Sequence, residues 1–255
     1  MMKMPFVSFI IATFNSGNSL ASTLESILSQ TYRNFEIIVI DGGSSDETVD
    51  ILKGYGDYLA YWVSEPDRGI ADAFNKGVRV AIGDYINFQG SGDTLTNNVV
   101  LSEIFTNWDF VEDFVIARIN RVTNTSEKKV LWTSKRNKPK FNFNTLVWRM
   151  GLYHQALFTR KSYFRQYGEF DENLKYSMDY EHVLRSFKNN PSIYTVNVIF
   201  SNWRQDGLGE NNELKIFNEY NLIKLRHRIK PRVVLFFVNY FILLKFYLKK
   251  LLLFK

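Results

Sequence analysis

Three carboxylates in the first hundred residues each follow a short apolar run: Asp41 after Phe35–Ile40, Asp67 after Leu59–Val63, and Asp93 after Tyr85–Phe88. Thr13 and Asn15 follow another such run, Phe6–Ala12, and Arg68 stands beside Asp67. Acids gathered in one cleft call for a cation, or for hydrogen-bond donors brought by a ligand. Further on, Asp171-Glu172-Asn173 and Ser177-Met178-Asp179-Tyr180-Glu181 precede Val183, Leu184 and Phe187, which are spaced as a helix face. Asp179 and Glu181 are two residues apart, so on a helix they point in different directions and cannot serve the same reacting atom. His154-Gln155 and Trp203-Arg204 add an imidazole, an amide, a large aromatic ring and a guanidinium.

The elements that must position these groups are legible from periodicity. Phe6–Ala12 (FVSFIIA) is apolar and rich in β-branched residues, as strands buried on both faces are. Leu20, Leu24, Ile27 and Leu28 then share one helix face. Phe35–Ile40 is a second strand, and Ser44 and Glu47 have capping-box spacing for the helix after it. Leu59–Val63 reads as a third strand, Ala71–Ala81 as a helix and Tyr85–Phe88 as a fourth strand; Ala156–Thr159 and Ile193–Phe200 add later ones. Such alternation predicts an α/β fold, a Rossmann-like, mostly parallel sheet with helices on both faces, whose ligands bind outside the carboxyl ends of the strands. Thr13, Asn15, Asp41, Asp67, Arg68 and Asp93 all stand at those exits. Lys128–Arg136, basic and polar, predicts a surface hairpin.

Composition narrows the chemistry. The 255 residues contain no cysteine, which removes disulfides, thiolate metal sites and cysteine nucleophiles. The first strand exit lacks the glycine-rich dinucleotide fingerprint, and no phosphate-cradling loop ends in Lys-Ser or Lys-Thr. Net charge is +6, yet residues 220–255 hold nine Lys or Arg and no acid, leaving 23 basic against 26 acidic residues elsewhere. An acidic body with a basic tail argues against nucleic acid and for a partner that the tail touches. No export signal opens the sequence, so a cytoplasmic location is expected.

In order and spacing, Ala12-Thr13-Phe14-Asn15, Ser29-Gln30-Thr31-Tyr32, Ile40-Asp41-Gly42-Gly43-Ser44-Ser45-Asp46, Ser64-Glu65-Pro66-Asp67-Arg68-Gly69-Ile70, Asn75-Lys76-Gly77 and Gly83-Asp84-Tyr85 resemble the family 2 glycosyltransferases of GT-A fold. The likeness is nearest to the bacterial branch that builds O-antigen and capsule repeat units. It is tight over Phe6–Asp93 and looser to about Trp203. The resemblance implies a nucleotide-sugar donor, usually a UDP-sugar, a divalent cation (Mg²⁺ or Mn²⁺), and transfer with inversion. It places Thr13, Phe14 and Asn15 about the nucleoside, Asp41 on the uracil ring, and Asp67 with Arg68 near ribose and phosphates. Asn75, Lys76, Ser91 and Asp93 join the donor site, with Asp93 as metal ligand. The family commonly has two adjacent acids there; in Gln89-Gly90-Ser91-Gly92-Asp93 the first is Gly92, which implies a weaker metal site.

The resemblance also implies Asp179 as the base, with Glu181 the second choice. His154 and Gln155 fall near acceptor and donor sugar, and Trp203-Arg204 near the diphosphate or a sugar face. Plainer readings stand beside these. Asp41 before two glycines fits a simple turn, Asp46 and Asp179 fit helix caps, and Glu181 fits a solvated helix charge. His154 fits a core histidine, Trp203 a packing residue, and Asp57 and Asp84 turns.

Residues 1–218 are expected to form the catalytic unit, with 1–98 taking the donor and 99–218 the acceptor; 219–255 form a tail. After Pro231, Val233–Leu244 is nearly all apolar, and Lys245, Lys249 and Lys250 interrupt too early for a spanning helix of about 20 residues. On a helix Arg232, Asn239, Lys245, Lys249 and Lys250 fall within about 140°, which fits residues 231–255 lying on the cytoplasmic face of the plasma membrane. A lipid-linked saccharide acceptor accounts for such a tail. Two rival functions are a non-catalytic sugar-nucleotide-binding partner, which Gly92 favours, and a sugar-phosphate nucleotidyltransferase, whose glycine- and arginine-rich phosphate loop Thr13–Leu20 lacks.

Overall fold

A computed structural model describes residues 4–106, 111–125, 127–135, 144–148, 152–205, 207, 209–210 and 212–253. Its first half runs β1 (Val7–Thr13), α1 (Leu20–Leu28), β2 (Phe35–Asp41), α2 (Thr48–Gly54), β3 (Tyr61–Ser64), α3 (Ile70–Val80) and β4 (Tyr85–Gly90). There follow β5 (Thr94–Leu95), α4 (Val100–Phe105), β6 (Phe114–Val122), β7 (Val130–Thr133), α5 (Asn144–Trp148), β8 (Leu157–Arg160), α6 (Lys161–Tyr167) and α7 (Met178–Arg185). The chain ends in β9 (Ile193–Arg204), α8 (Glu213–Arg226) and α9 (Arg232–Leu253).

One sheet in the order β3-β2-β1-β4-β8-β6-β9-β5 organises the molecule, with β7 hydrogen-bonded to β6. β1–β4 are parallel, which is the arrangement expected from strand–helix alternation. The second half is mixed: β8 runs antiparallel to both β4 and β6, while β9 runs parallel to β6. Successive strand residues face opposite sides, so one run feeds two cores. Ile10, Ile38, Ile40, Ile86 and Phe88 pack against α3 and α5–α9. Phe9, Ile11, Ile37, Val39 and Tyr85 pack against α1, α2 and α4. Helix α3 lies so close to β1 that a β-carbon on Gly77 would meet Ile10 Cγ2 at 2.4 Å, so only glycine fits there.

Two local expectations are corrected. Ser44 does not cap α2: it donates its Oγ–H to Asp41 and accepts from the Asn15 amide, while Asp46 accepts from the Thr48 amide and hydroxyl. The 123–133 hairpin forms through β7, but Lys128 is half-buried, with Nζ 3.3 Å from Thr94 Oγ1; Arg136 lies outside the described residues. Helix α8 runs through positions 218 and 219, and its Ile223 joins the same core as Leu235 and Val238 of α9. Beyond that packed stripe α9 exposes Val233, Phe236, Phe237, Tyr240, Phe241, Tyr247 and Leu248.

Candidate active site

The carboxyl ends of β1 and β4 open into a cleft of about 1100 Å³ whose far wall is the start of α7, the end of β9 and α8. Thr13, Phe14, Asp67, Arg68, Ser91, Asp93, His154, Gln155, Asp179, Trp203 and Arg204 all line it. These residues are scattered over nearly two hundred positions, and the sheet brings them together because parallel strands all leave on one side.

On the β1 side, the Phe14 ring is 61% exposed at the rim, open for stacking. The hydroxyls of Thr13 and Ser91 are buried and have no hydrogen-bond partner among the described residues. Arg68 extends to Glu172 at 2.5 Å and Asp72 at 3.4 Å, and Asp67 Oδ1 accepts the Gly69 amide at 2.8 Å.

At the β4 exit Asp93 is buried. Its Oδ1 accepts the Arg204 amide at 2.9 Å; its Oδ2 accepts Gln155 Nε2 at 3.2 Å and the Gly90 amide at 3.3 Å. Burial raises its pKa above the ordinary carboxylate range, against those donors and the nearby His154. The Arg204 guanidinium lies over Gly92: a β-carbon at 92 would stand 2.5 Å from Nη1 and 2.6 Å from Cζ.

Across the cleft Asp179 occupies the first turn of α7, where the positive end of the helix dipole favours an anion. Its Oδ2 lies 3.3 Å from His154 Nδ1, and both side chains keep part of their surface in the cleft, 19% and 26% respectively. Trp203 packs on Tyr153 and Trp132 with ring centroids 6.2 and 6.4 Å away, under the Arg121 guanidinium 4.2 Å above it. It is therefore both a packing residue and a cleft wall.

Five expected site residues are not on that wall. Asp41 is wholly buried, accepting from the Ser44 amide and from the hydroxyls of Ser44 and Ser64, so it holds the loop together. Asn15 accepts from the Ser45 amide, with a left-handed backbone at φ 46°. Asn75 is a strut, donating to the Phe170 carbonyl and Glu172 and accepting from the Phe170 amide. Lys76 is held by Glu65 at 2.7 Å and Asp72 at 3.7 Å. Glu181 faces away from the cleft, clamped by Arg185 and His227. Burial pushes its pKa up, but those two partners outweigh it and hold the carboxyl below its ordinary value.

A buried polar layer beneath the cleft escaped the sequence reading. Asn87 and Gln89 of β4 both donate to the Gln155 carbonyl, and Ser201 of β9 donates to Gln89 Oε1. Two amides at alternate positions of an otherwise apolar strand were the available signal. Tyr220 of α8, also on the wall, was missed as well; burial raises its pKa.

The donor set at the β4 exit does not fit the expected divalent ion. Asp93 is its single carboxylate, with both oxygens already accepting N–H bonds, and a guanidinium lies against Gly92, where the first acid of the pair belongs. No cluster of three His, Asp or Glu side chains suited to a metal occurs among the described residues. Mg²⁺ and Mn²⁺ need several oxygen ligands in a near-octahedral shell, which these groups do not offer.

The sequence pattern described as glycosyl transferase family 2 matches residues 8–168. The chain belongs to that family. Among curated relatives of this family 2 member, a PGL/p-HBAD biosynthesis glycosyltransferase of Mycobacterium bovis is 30% identical over 214 residues, covering 81% of this chain and 79% of the relative. An uncharacterized glycosyltransferase of Rickettsia typhi is 27% identical, covering 86% and 70%. Among solved structures, S. aureus TarS 1-349 in complex with UDP-GlcNAc superposes with a TM-score of 0.68 at 19% identity, over 86% of this chain and 66% of that one. The chain spans 39% of the longer TarS structure. A mannosyltransferase from Pyrobaculum calidifontis in complex with GDP-Man and Mn²⁺ gives 0.61 at 17% identity, covering 88% and 65%. These structures establish the shared GT-A fold; the chain is a glycosyltransferase.

Proposed function

We propose that this protein transfers one sugar, with inversion, from a UDP-sugar to a lipid-linked saccharide during assembly of a bacterial surface polysaccharide of the O-antigen or capsule kind. The observation that carries the reading is the single cleft in which strand exits that suit a nucleotide face a carboxylate on α7. Phe14 offers the base a stacking face, Thr13 and Ser91 offer hydroxyls, and Arg204 offers paired N–H groups to a diphosphate. The UDP and UDP-GlcNAc complexes of TarS support a uridine donor.

In the displacement, Asp179 accepts the proton of the acceptor hydroxyl as its oxygen bonds to the anomeric carbon. The bond from that carbon to the diphosphate oxygen breaks on the opposite face, its electron pair leaving with UDP; one inversion results. His154, 3.3 Å from Asp179, holds the carboxylate in place, and the Trp203 ring offers a sugar face a platform. Asp93 is the single carboxylate that a Mg²⁺ or Mn²⁺ ion would find beside the diphosphate, and nothing in this displacement depends on one.

The acceptor's lipid and a position on the cytoplasmic membrane face are proposed from α9. No helix among the described residues is long and apolar enough to cross a membrane, whereas α9 shows an exposed aromatic face in a segment with no acid. That combination fits a helix lying among anionic headgroups. The test is UDP release from a panel of UDP-sugars with bacterial lipid extract as acceptor source. Acceptor-dependent release supports the reading. Nucleotide binding without release refutes it in favour of a sugar-nucleotide-binding partner.

A further inference from the structure

The place where the first acid of the metal-binding pair would project is filled by a cation. A β-carbon on Gly92 would lie 2.5 Å from Arg204 Nη1, 2.6 Å from Cζ and 2.7 Å from Nε, so any side chain at 92 would have to evict the guanidinium. The backbone there has φ +96°, which reinforces the demand for glycine. Gly92 and Arg204 are thus one steric pair: the residue without a side chain makes room for the one with the largest cationic head.

Arg204 is not a loose surface arginine. It closes β9, with Val122 of β6 as its strand partner, and its amide is bonded to Asp93 Oδ1 at 2.9 Å. Asp93, itself fixed by Gln155 and Gly90, therefore positions the end of β9 and with it the guanidinium. A second cation, Lys128, approaches the next residue along, its Nζ 3.3 Å from Thr94 Oγ1. A divalent ion at this exit would meet positive charge where it needs oxygen ligands, at a separation where like charges repel strongly in a partly buried site. A guanidinium, by contrast, presents a planar fork that matches two phosphate oxygens and needs no coordination shell.

We infer that Arg204 replaces the divalent ion: it supplies from the protein the positive charge that binds the donor's diphosphate and stabilises UDP as it leaves, so that donor binding needs no metal. The inference rests on the donor reading given above and deepens it. Arg204 is the group that touches the diphosphate; Asp93 is a positioning residue and Gly92 the clearance that admits the fork.

The test is calorimetric titration of the full chain with UDP, in EDTA and in saturating Mn²⁺. Wild type is expected to bind with affinities within about threefold of each other in the two buffers. Arg204→Ala should weaken binding in EDTA by about 10- to 100-fold, the usual effect of losing charge-assisted hydrogen bonds, and Arg204→Lys by less. The double variant Gly92→Asp/Arg204→Ala, checked for folding by its thermal transition, should recover binding only when Mn²⁺ is present. Wild-type binding that falls more than about tenfold in EDTA overturns the inference and leaves the donor reading standing; this arm needs no variant. Equal binding by wild type and a folded Arg204→Ala overturns it as well. A wild type that binds UDP in neither buffer overturns the donor reading and the inference with it.

Discussion

Replacing Asp179 by asparagine keeps the shape of the side chain and removes its capacity to accept a proton. The amide oxygen can still accept from the Tyr180 amide, now 2.7 Å from Oδ1, and the new amide nitrogen can take the place of Oδ2 beside His154 Nδ1, 3.3 Å away. Folding stability should therefore change by less than about 1 kcal/mol. General-base catalysis is worth about 10²- to 10⁴-fold in rate, so kcat for UDP release should fall by that factor, equivalent to about 3–5 kcal/mol of barrier. Donor KM should stay within about threefold, because Asp179 stands across the cleft from the β1 and β4 exits. Steady-state UDP release against donor concentration, with a thermal melt of the same preparation, reads all three quantities. A folded variant with kcat within tenfold of wild type refutes Asp179 as the base. A rise in KM at unchanged kcat refutes it too, since that pattern belongs to a residue that only binds.

Other outcomes follow from groups outside the cleft. His182 is buried, stacked on Phe164 with ring centroids 4.5 Å apart, and burial lowers its pKa from 6.5 to about 4. The unfolded chain takes up a proton at 6.5 and the folded one does not until about 4, so stability should fall by up to about 3 kcal/mol as pH drops across that interval. Urea titrations at both ends check this, and an unchanged slope in His182→Phe would remove the assignment. Lys224 is 1% exposed, and burial alone lowers its pKa from 10.5 to about 8. Its charge costs stability below that value, so Lys224→Met should stabilise the fold at pH 7 by about 1–3 kcal/mol, with the gain fading between pH 8 and 10.5; a lower melting temperature would contradict this. Changing exposed Phe236, Phe237 and Phe241 together to glutamate should abolish co-sedimentation with anionic vesicles at unchanged melting temperature, since the packed stripe of α9 runs through Leu235 and Val238; continued sedimentation would remove the membrane proposal.

The structure also separates two kinds of polar residue that look alike in the sequence. Asp41 ends β2 and Asp93 follows β4, each next to a glycine, yet Asp41 is wholly buried off the cleft wall and Asp93 lies on it. The difference comes from Ser44 and Ser64, which close over Asp41 from the β2 and β3 loops. Glu181 and Asp179 differ for another reason. Helical geometry says that they diverge, and Arg185 and His227, on α7 and just past α8, decide which one turns inward.

Apolar periodicity by itself determined β1, β2, β4, α1 and α3, because burial on both faces of a parallel sheet demands uninterrupted apolar strands and a helix needs one apolar stripe; β3, at the sheet edge, showed as a shorter apolar run. It also determined that polar groups gather at one end of the sheet, since parallel strands share a direction. The roles at that end belong to tertiary structure. Asp93 takes its partners from Gln155 and Arg204, 62 and 111 positions along the chain, and Gly92 acquires its meaning only when the end of β9 lays a guanidinium over it. Local pattern encodes which residues must leave water; contacts between distant segments fix what a polar side chain touches once it is there.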